Sequence, residues 1–310
     1  MPDLASKIQS KDLRRIDAAA VSRVLRRLAA QPAPPWLHSE VARRMAERLA
    51  LIRLQPERII DWGSFLGGST EVLSAAYPKA QRIAVEPIDA LVERSRQLNR
   101  PPWWSLLRPG TGRSEVMAEA AARSGVLKAA QLVWANMMLH AVEDPPALMA
   151  RWQQLLSPDG FVMFSCLGPD TLRELRGLYR RLGWPAPTID FVDMHDLGDM
   201  LVQAGFADPV MDQEIIRLSW SDPQALLREL HLLGGNALPE RGPGLRTPRW
   251  KARLEAELMA LKAADGRLHL SFEVAYGHAF KALPRARPGG ETSVSLDDMR
   301  SMARSRRTRG

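Results

Sequence analysis

The chain has 310 residues, 45% of them hydrophobic and 25% charged, which excludes general disorder and suffices for one large domain or two small ones. Its 43 Lys and Arg against 35 Asp and Glu give a net charge of +8, but the excess sits at the ends: residues 1–30 carry +4, residues 300–310 carry +5, and the body between is close to neutral. That distribution argues against a nucleic-acid function, which would need a basic folded face, and leaves the ends as attractors for an acidic partner.

In chain order, residues 1–36 form a basic segment with helical apolar spacing through Ile16, Val21, Val24 and Leu25, stopping at QPAPPW. Residues 37–53 resume that spacing. After Gln55-Pro56 comes Arg58-Ile59-Ile60-Asp61, then glycines and Ser69-Thr70, which reads as strand, glycine turn and helix. The alternation recurs: strand 82–86, helix 88–98, strand 131–136, helix 145–156, strand 160–166 and helix 194–204 closing on Gly205. Such alternation predicts a parallel sheet covered on both faces. Two longer strands follow, 209–220 and 267–280, separated by a helical insertion, 221–264, that contains GGNALPERGPG. The insertion is read either as a lid or acceptor element above the sheet, or as helices that extend the core. The segment 284–310, rich in Arg, Pro, Gly and Ser, reads as a disordered basic tail.

A single cysteine, Cys166, excludes an internal disulfide and a cysteine-cluster zinc site. The first residues are charged and lack an apolar run before a cleavage site, and no run approaches the ~20 apolar residues that span a bilayer. These features predict a cytoplasmic protein without a membrane or metal partner.

Ligands of open α/β sheets bind at the carboxyl ends of the strands, where strand order reverses, and the first turn is the usual contact. Here that turn is DWGSFLGG, residues 61–68. It lacks the dinucleotide pattern G-x-G-x-x-G, because Phe65 follows Gly63 at the second position, and it lacks the phosphate-loop pattern. An acid-x-G-x-x-x-G turn with Glu86 ending the second strand fits a nucleoside without a phosphate chain. An acid there can accept charge-assisted bonds from vicinal ribose hydroxyls.

Three further blocks, SCLGPDTLRELR (165–176), FVDMHDLGDMLVQAGFADPVMDQE (191–214) and FEVAYGHAFK (272–281), complete a resemblance to the class I S-adenosylmethionine-dependent methyltransferases. Within them the chain is similar to the malonyl-acyl-carrier-protein O-methyltransferases of biotin synthesis. The resemblance implies an α/β fold over residues 37–283, a Rossmann-like sheet, mostly parallel with an antiparallel last strand, and a helical insertion between the last two strands. It implies S-adenosyl-L-methionine as cofactor and an acyl carrier protein or other acidic protein as partner. It places Asp61, Gly63, Ser64, Phe65, Gly67, Glu86, Ala135 and Asn136 at the cofactor and Leu167 to Thr171 beside the acceptor.

Two departures from the family pattern stand out. Phe65 and Leu66 replace a glycine and a threonine of the first motif, and LAAQPAPPW (28–36) lacks the family's tyrosine, a contact Trp36 is the aromatic residue to supply. A non-glycine residue at a position requiring positive φ costs about 1–2 kcal/mol. These departures support an alternative reading, a degenerate family member that binds or assembles without catalysis.

A carboxylate acceptor needs a cation, and Arg173 and Arg176 are the candidates, with His140 as a third. The other reading of the two arginines is an exposed helix face. His195 and His278 read as structural histidines, Cys166 as a small core residue, and Pro101-Pro102-Trp103-Trp104 as a loop anchor.

Overall fold

A computed structural model describes residues 15–99, 114–122, 127, 129–242 and 246–282 of the chain. The Pro101 to Trp104 segment, residues 1–14 and the 284–310 tail lie outside the described residues, as do residues 243–245 of the insertion.

The first helix, α1, runs Ala18–Ala29; Asp17 caps it by accepting the Ala20 amide at 2.9 Å, and two arginines lie in its last turn. Helix α2, Trp36–Leu49, buries the apolar set Leu37, Val41, Met45 and Leu49. Then come β1 (Arg58–Trp62), a single helical turn α3 (Ser64–Gly67), α4 (Thr70–Ala76), β2 (Gln81–Glu86) and α5 (Asp89–Leu98). They are followed by β3 (Ser114–Ala118), the turn α6 (Glu119–Ala122) and β4 (Ala130–Ala135). Helix α7 (Pro145–Leu155) starts with a prolyl residue and an Asp144 cap and leads into β5 (Leu156–Leu167). The chain continues with α8 (Arg173–Arg181), α9 (Met194–Gln203), β6 (Phe206–Trp220), α10 (Pro223–Leu233), α11 (Pro248–Met259) and β7 (Leu268–Lys281).

The strands form one seven-stranded sheet in the order β3-β2-β1-β4-β5-β7-β6. Strands β1 to β5 are mutually parallel, and β7 runs antiparallel to both of its neighbours. The expected sheet is thus present, with β7 as its antiparallel strand and α10 and α11 between β6 and β7. Strand β3 escaped sequence reading because SEVMA is short, polar at its start and half-exposed, so it has neither an apolar run nor clean alternation. The central strands β1 and β4 are buried on both faces, and their side chains feed two separate cores. One holds Ile59, Leu132 and Trp134 against α2; the other holds Ile60, Trp62 and Val133 against α7 and α9. Order reverses between β1 and β4, which fixes where a ligand site belongs.

Candidate active site

At that reversal lies a cavity of about 880 Å³. Its wall includes the residues just past the carboxyl ends of the strands: Gly63 after β1, Pro87 after β2, Met137 and Met138 after β4, and Leu167 at the end of β5. Helix α1 contributes Val21, Val24, Leu25 and Leu28, and α10 contributes Leu227, Leu230 and Leu233. The insertion therefore reaches the cavity through α10. A mostly apolar pocket of this size at a switch point suits a small organic ligand.

The glycine turn after β1 is built by its glycines. Gly63 has φ +71° and Gly68 φ +62°, so both stand where a side chain is strained. Between them Ser64–Gly67 is helical, with the Gly67 amide donating to the Gly63 carbonyl at 2.9 Å. Phe65 therefore sits in an ordinary helical conformation, and the strain expected of a missing glycine does not arise. Its ring is buried away from the cavity, against Leu28, Ala29, Leu66 and Leu91, with the Arg94 guanidinium 5.4 Å from its centroid. Trp36 is also off the cavity: it is half-exposed, and its indole N–H donates to Glu229.

Beneath the turn lie two acids. Asp61 accepts from the Ser64 hydroxyl at 2.6 Å, and burial pushes its carboxyl up to about 6 against the opposing pull of Arg82. Glu86 accepts the Phe65 amide at 2.7 Å and the Ser95 hydroxyl at the same oxygen, Oε1; burial pushes it up to about 8. Oδ1 of Asp61 and Oε2 of Glu86 have no partner among the described residues, and both side chains are fully buried. Buried orphan oxygens of this kind call for a ligand or a proton.

Asn136 is a structural hub. Its amide nitrogen donates to the carbonyls of His38 (2.7 Å) and Gly67 (2.6 Å), and its oxygen accepts from Ser165 (2.6 Å). It thereby joins α2, the glycine turn, β4 and β5. The next residue, Met137, is held at φ +53° by bonds from its amide to Ser165, and Leu172 stands at φ +55° with its amide 2.6 Å from the Ser271 carbonyl. Both line the cavity, and left-handed non-glycine residues cost about 1–3 kcal/mol, a strain that concentrates at functional sites.

Of the eight residues expected at the cofactor, Gly63 alone lines the cavity. Asp61, Ser64, Phe65, Gly67, Glu86, Ala135 and Asn136 form the layer beneath it, because the helical turn 64–67 covers the acids and the Asn136 side chain is spent on backbone. The wall is made by their chain neighbours. Leu167 and Thr171 line the cavity, and so does His140, whose ring packs edge-on to Phe191. Arg173 and Arg176 do not. Arg173 pairs with Asp170 at 3.1 Å and Glu174 at 3.5 Å, and Arg176 donates to the Pro169 carbonyl. His195 is exposed on Asp193, His278 packs against Phe280, and Cys166 is buried in the core.

Sequence reading missed His38, Arg151 and Thr188. Burial holds His38 neutral, down to about 4, and its Nδ1 donates to the Leu66 carbonyl at 2.9 Å, leaving Nε2 as an acceptor without a partner among the described residues. Arg151 is, among the described residues, the one arginine lining the cavity, and it makes no ion pair there. Thr188 lines the same cavity, and its buried hydroxyl has no partner among the described residues. The spacing of Arg151 seven residues after Asp144 on α7 was a signal, since it puts both on one helix face. Among the described residues no cluster of His, Cys, Asp or Glu could hold a metal ion, and no helix is long and apolar enough to cross a membrane.

Fold and site together define a class I methyltransferase: the seven-stranded sheet with its reversed hairpin edge, the glycine turn after β1, and the acid ending β2. The model of a methyltransferase domain matches residues 36–208. The chain is 38% identical over 281 residues to the malonyl-[acyl-carrier protein] O-methyltransferase of Gallionella capsiferriformans, covering 90% of this chain and 96% of that protein. It is 39% identical over 269 residues to the enzyme of the same name from Laribacter hongkongensis, covering 86% and 88%. The YcgJ protein of Bacillus subtilis shares the fold, with a TM-score of 0.52 at 11% identity over 79% of this chain and 99% of that one. The chain belongs to the malonyl-[acyl-carrier protein] O-methyltransferase family.

Proposed function

We propose that this protein is a S-adenosyl-L-methionine-dependent O-methyltransferase that acts on the free carboxylate of a malonyl group carried by an acyl carrier protein, in biotin synthesis. The observation that carries the reading is the cavity over the strand ends at the sheet's reversal, with the Phe65 ring packed away from it. The family relation supplies the chemistry.

The residues present fit the cofactor. The cavity is wide enough, and Gly63 leaves its wall open where Met138 stands 3.4 Å from an added Cβ. Gly63, Leu66, Pro87, Leu91 and Met137 would hold it by shape, and Nε2 of His38 would accept a hydrogen bond from it. When bound, S-adenosylmethionine supplies an activated methyl group. The acceptor needs no base, since an ordinary carboxyl, with a pKa near 4, is already ionised at neutral pH. What remains for the protein is orientation and exclusion of water, and orientation alone is worth several kcal/mol. Arg151, in the wall and without an ion-pair partner among the described residues, takes over from Arg173 and Arg176 as the guanidinium that holds the acceptor carboxylate, with the Thr188 hydroxyl as a second donor.

A second reading, a non-catalytic binding or assembly protein, is favoured by one observation: Glu86 and Asp61 are sealed under the turn. Titration calorimetry with S-adenosylhomocysteine tests both. Micromolar binding by the folded protein, with methyl transfer to malonyl-acyl carrier protein, is the expected result; no heat at millimolar ligand would leave the second reading standing.

A further inference from the structure

Beside the cavity, the end of α8 and the start of α11 build an aromatic cluster faced with arginine. Trp184 and Trp250 lie with centroids 4.9 Å apart, and Tyr179 packs edge-on to both, at 5.2 and 6.4 Å. The guanidinium of Arg246 lies 4.7 Å from the Trp250 centroid and that of Arg253 lies 5.6 Å from the Trp184 centroid. Both arginines are exposed, and neither meets a carboxylate among the described residues. Exposed Arg180 and Arg249 flank them, also without a carboxylate partner there. The acids on this face are already engaged, Glu257 with Arg181 at 3.0 Å and Glu255 with Lys251 at 3.8 Å. The Trp250 indole N–H is buried beneath this surface and has no partner among the described residues. Tyr179 also lines the cavity, so one ring separates this surface from the site.

We infer that the Arg246–Trp250–Arg253–Trp184 surface is the docking face for an acidic carrier protein, which seats its carboxylates on the arginines and delivers its acyl group past Tyr179. The inference rests on the proposed acceptor. The face offers exposed guanidinium groups and, among the described residues, no unpaired carboxylate, the complement of an acidic protein. Guanidinium groups stacked on indoles are held in place by the rings, which reduces the entropy lost when they pair with a partner's carboxylates.

The test is the double variant R246E/R253E, read by fluorescence anisotropy with labelled malonyl-acyl carrier protein and by turnover of that substrate and of malonyl-pantetheine, which lacks the protein. We expect carrier binding at least ten-fold weaker and steeply salt-dependent in the wild type. The KM for the carrier-bound substrate rises in proportion while kcat and malonyl-pantetheine turnover stay level. R96E, on α5, serves as a control with no effect, and R246A/R253A gives a smaller loss should the reversal impair folding. Carrier binding that charge reversal leaves within two-fold overturns the inference, as does a wild type that does not bind the carrier. Binding lost on reversal in a protein that methylates neither substrate would sustain the docking face and remove the enzymatic reading.

Discussion

The amide of Phe65 donates a 2.7 Å hydrogen bond to Glu86, so the residue that departs from the methyltransferase glycine pattern is also the one that holds the acid at the end of β2. Backbone does this work, and the ring is free to point elsewhere. It packs into a small core with Leu28 of α1 and Leu91 of α5, which makes Phe65 a link between the turn and its two covering helices.

Phe65→Gly should therefore weaken the fold rather than restore a lost function. A buried phenylalanine is removed from a packed cluster and a glycine enters a helical turn, for a loss of about 3–5 kcal/mol in urea-induced unfolding. A variant as stable as the parent would show that the ring packing is dispensable.

Glu86 sets a pH dependence of stability. Its carboxyl, moved by burial from 4.5 to about 8, keeps its proton in the folded state while the unfolded chain loses it. Its contribution is full below pH 4.5 and is lost as pH rises through 8. Asp61, raised from 3.8 to about 6, acts in the same direction over a lower window. Glu86→Gln should be more stable than the parent at pH 9 by a few kcal/mol and nearly equal to it at pH 5, as measured by chemical denaturation across pH.

His38 works in the opposite direction. Its pKa falls from 6.5 to about 4, so the unfolded state takes up a proton that the folded state refuses, and stability is lost as pH falls from 6.5 towards 4. The full difference is about 3 kcal/mol. His38→Gln should flatten that acid limb. Calorimetry should also show S-adenosylhomocysteine binding about ten-fold weaker in His38→Ala, since the cavity wall loses its acceptor.

Arg151→Ala should raise the KM for malonyl-acyl carrier protein at least ten-fold and leave S-adenosylhomocysteine affinity within two-fold, because the guanidinium is assigned to the acceptor. Arg173→Ala should change neither, since that side chain is already paired with Asp170 and Glu174 on an exposed helix face.

The order of strands and helices was legible in the chain because each element carries its own local signal. Apolar runs such as RIIDW and QLVWAN, the Asp144 and Asp222 caps with their following prolines, and the glycines at 63 and 68 need no distant partner to be read. The family, and with it the sheet with its antiparallel β7, followed from blocks that keep their order and spacing. Strand β3 was lost because its five residues gain their order from pairing with β2, a long-range term that no local window contains.

The site divides along the same line. Sequence by itself located the glycine turn and the acid that ends β2, since both are fixed by position along a βαβ unit. Only the tertiary structure decided that the turn closes as a helix over Asp61 and Glu86, that the Phe65 ring turns into the α1 and α5 packing, and that the cavity wall falls to His38, Arg151 and Thr188. Those outcomes depend on which helices arrive from elsewhere in the chain to cover the turn. The direction of a side chain is set by the packing of such distant neighbours, not by its own position in sequence.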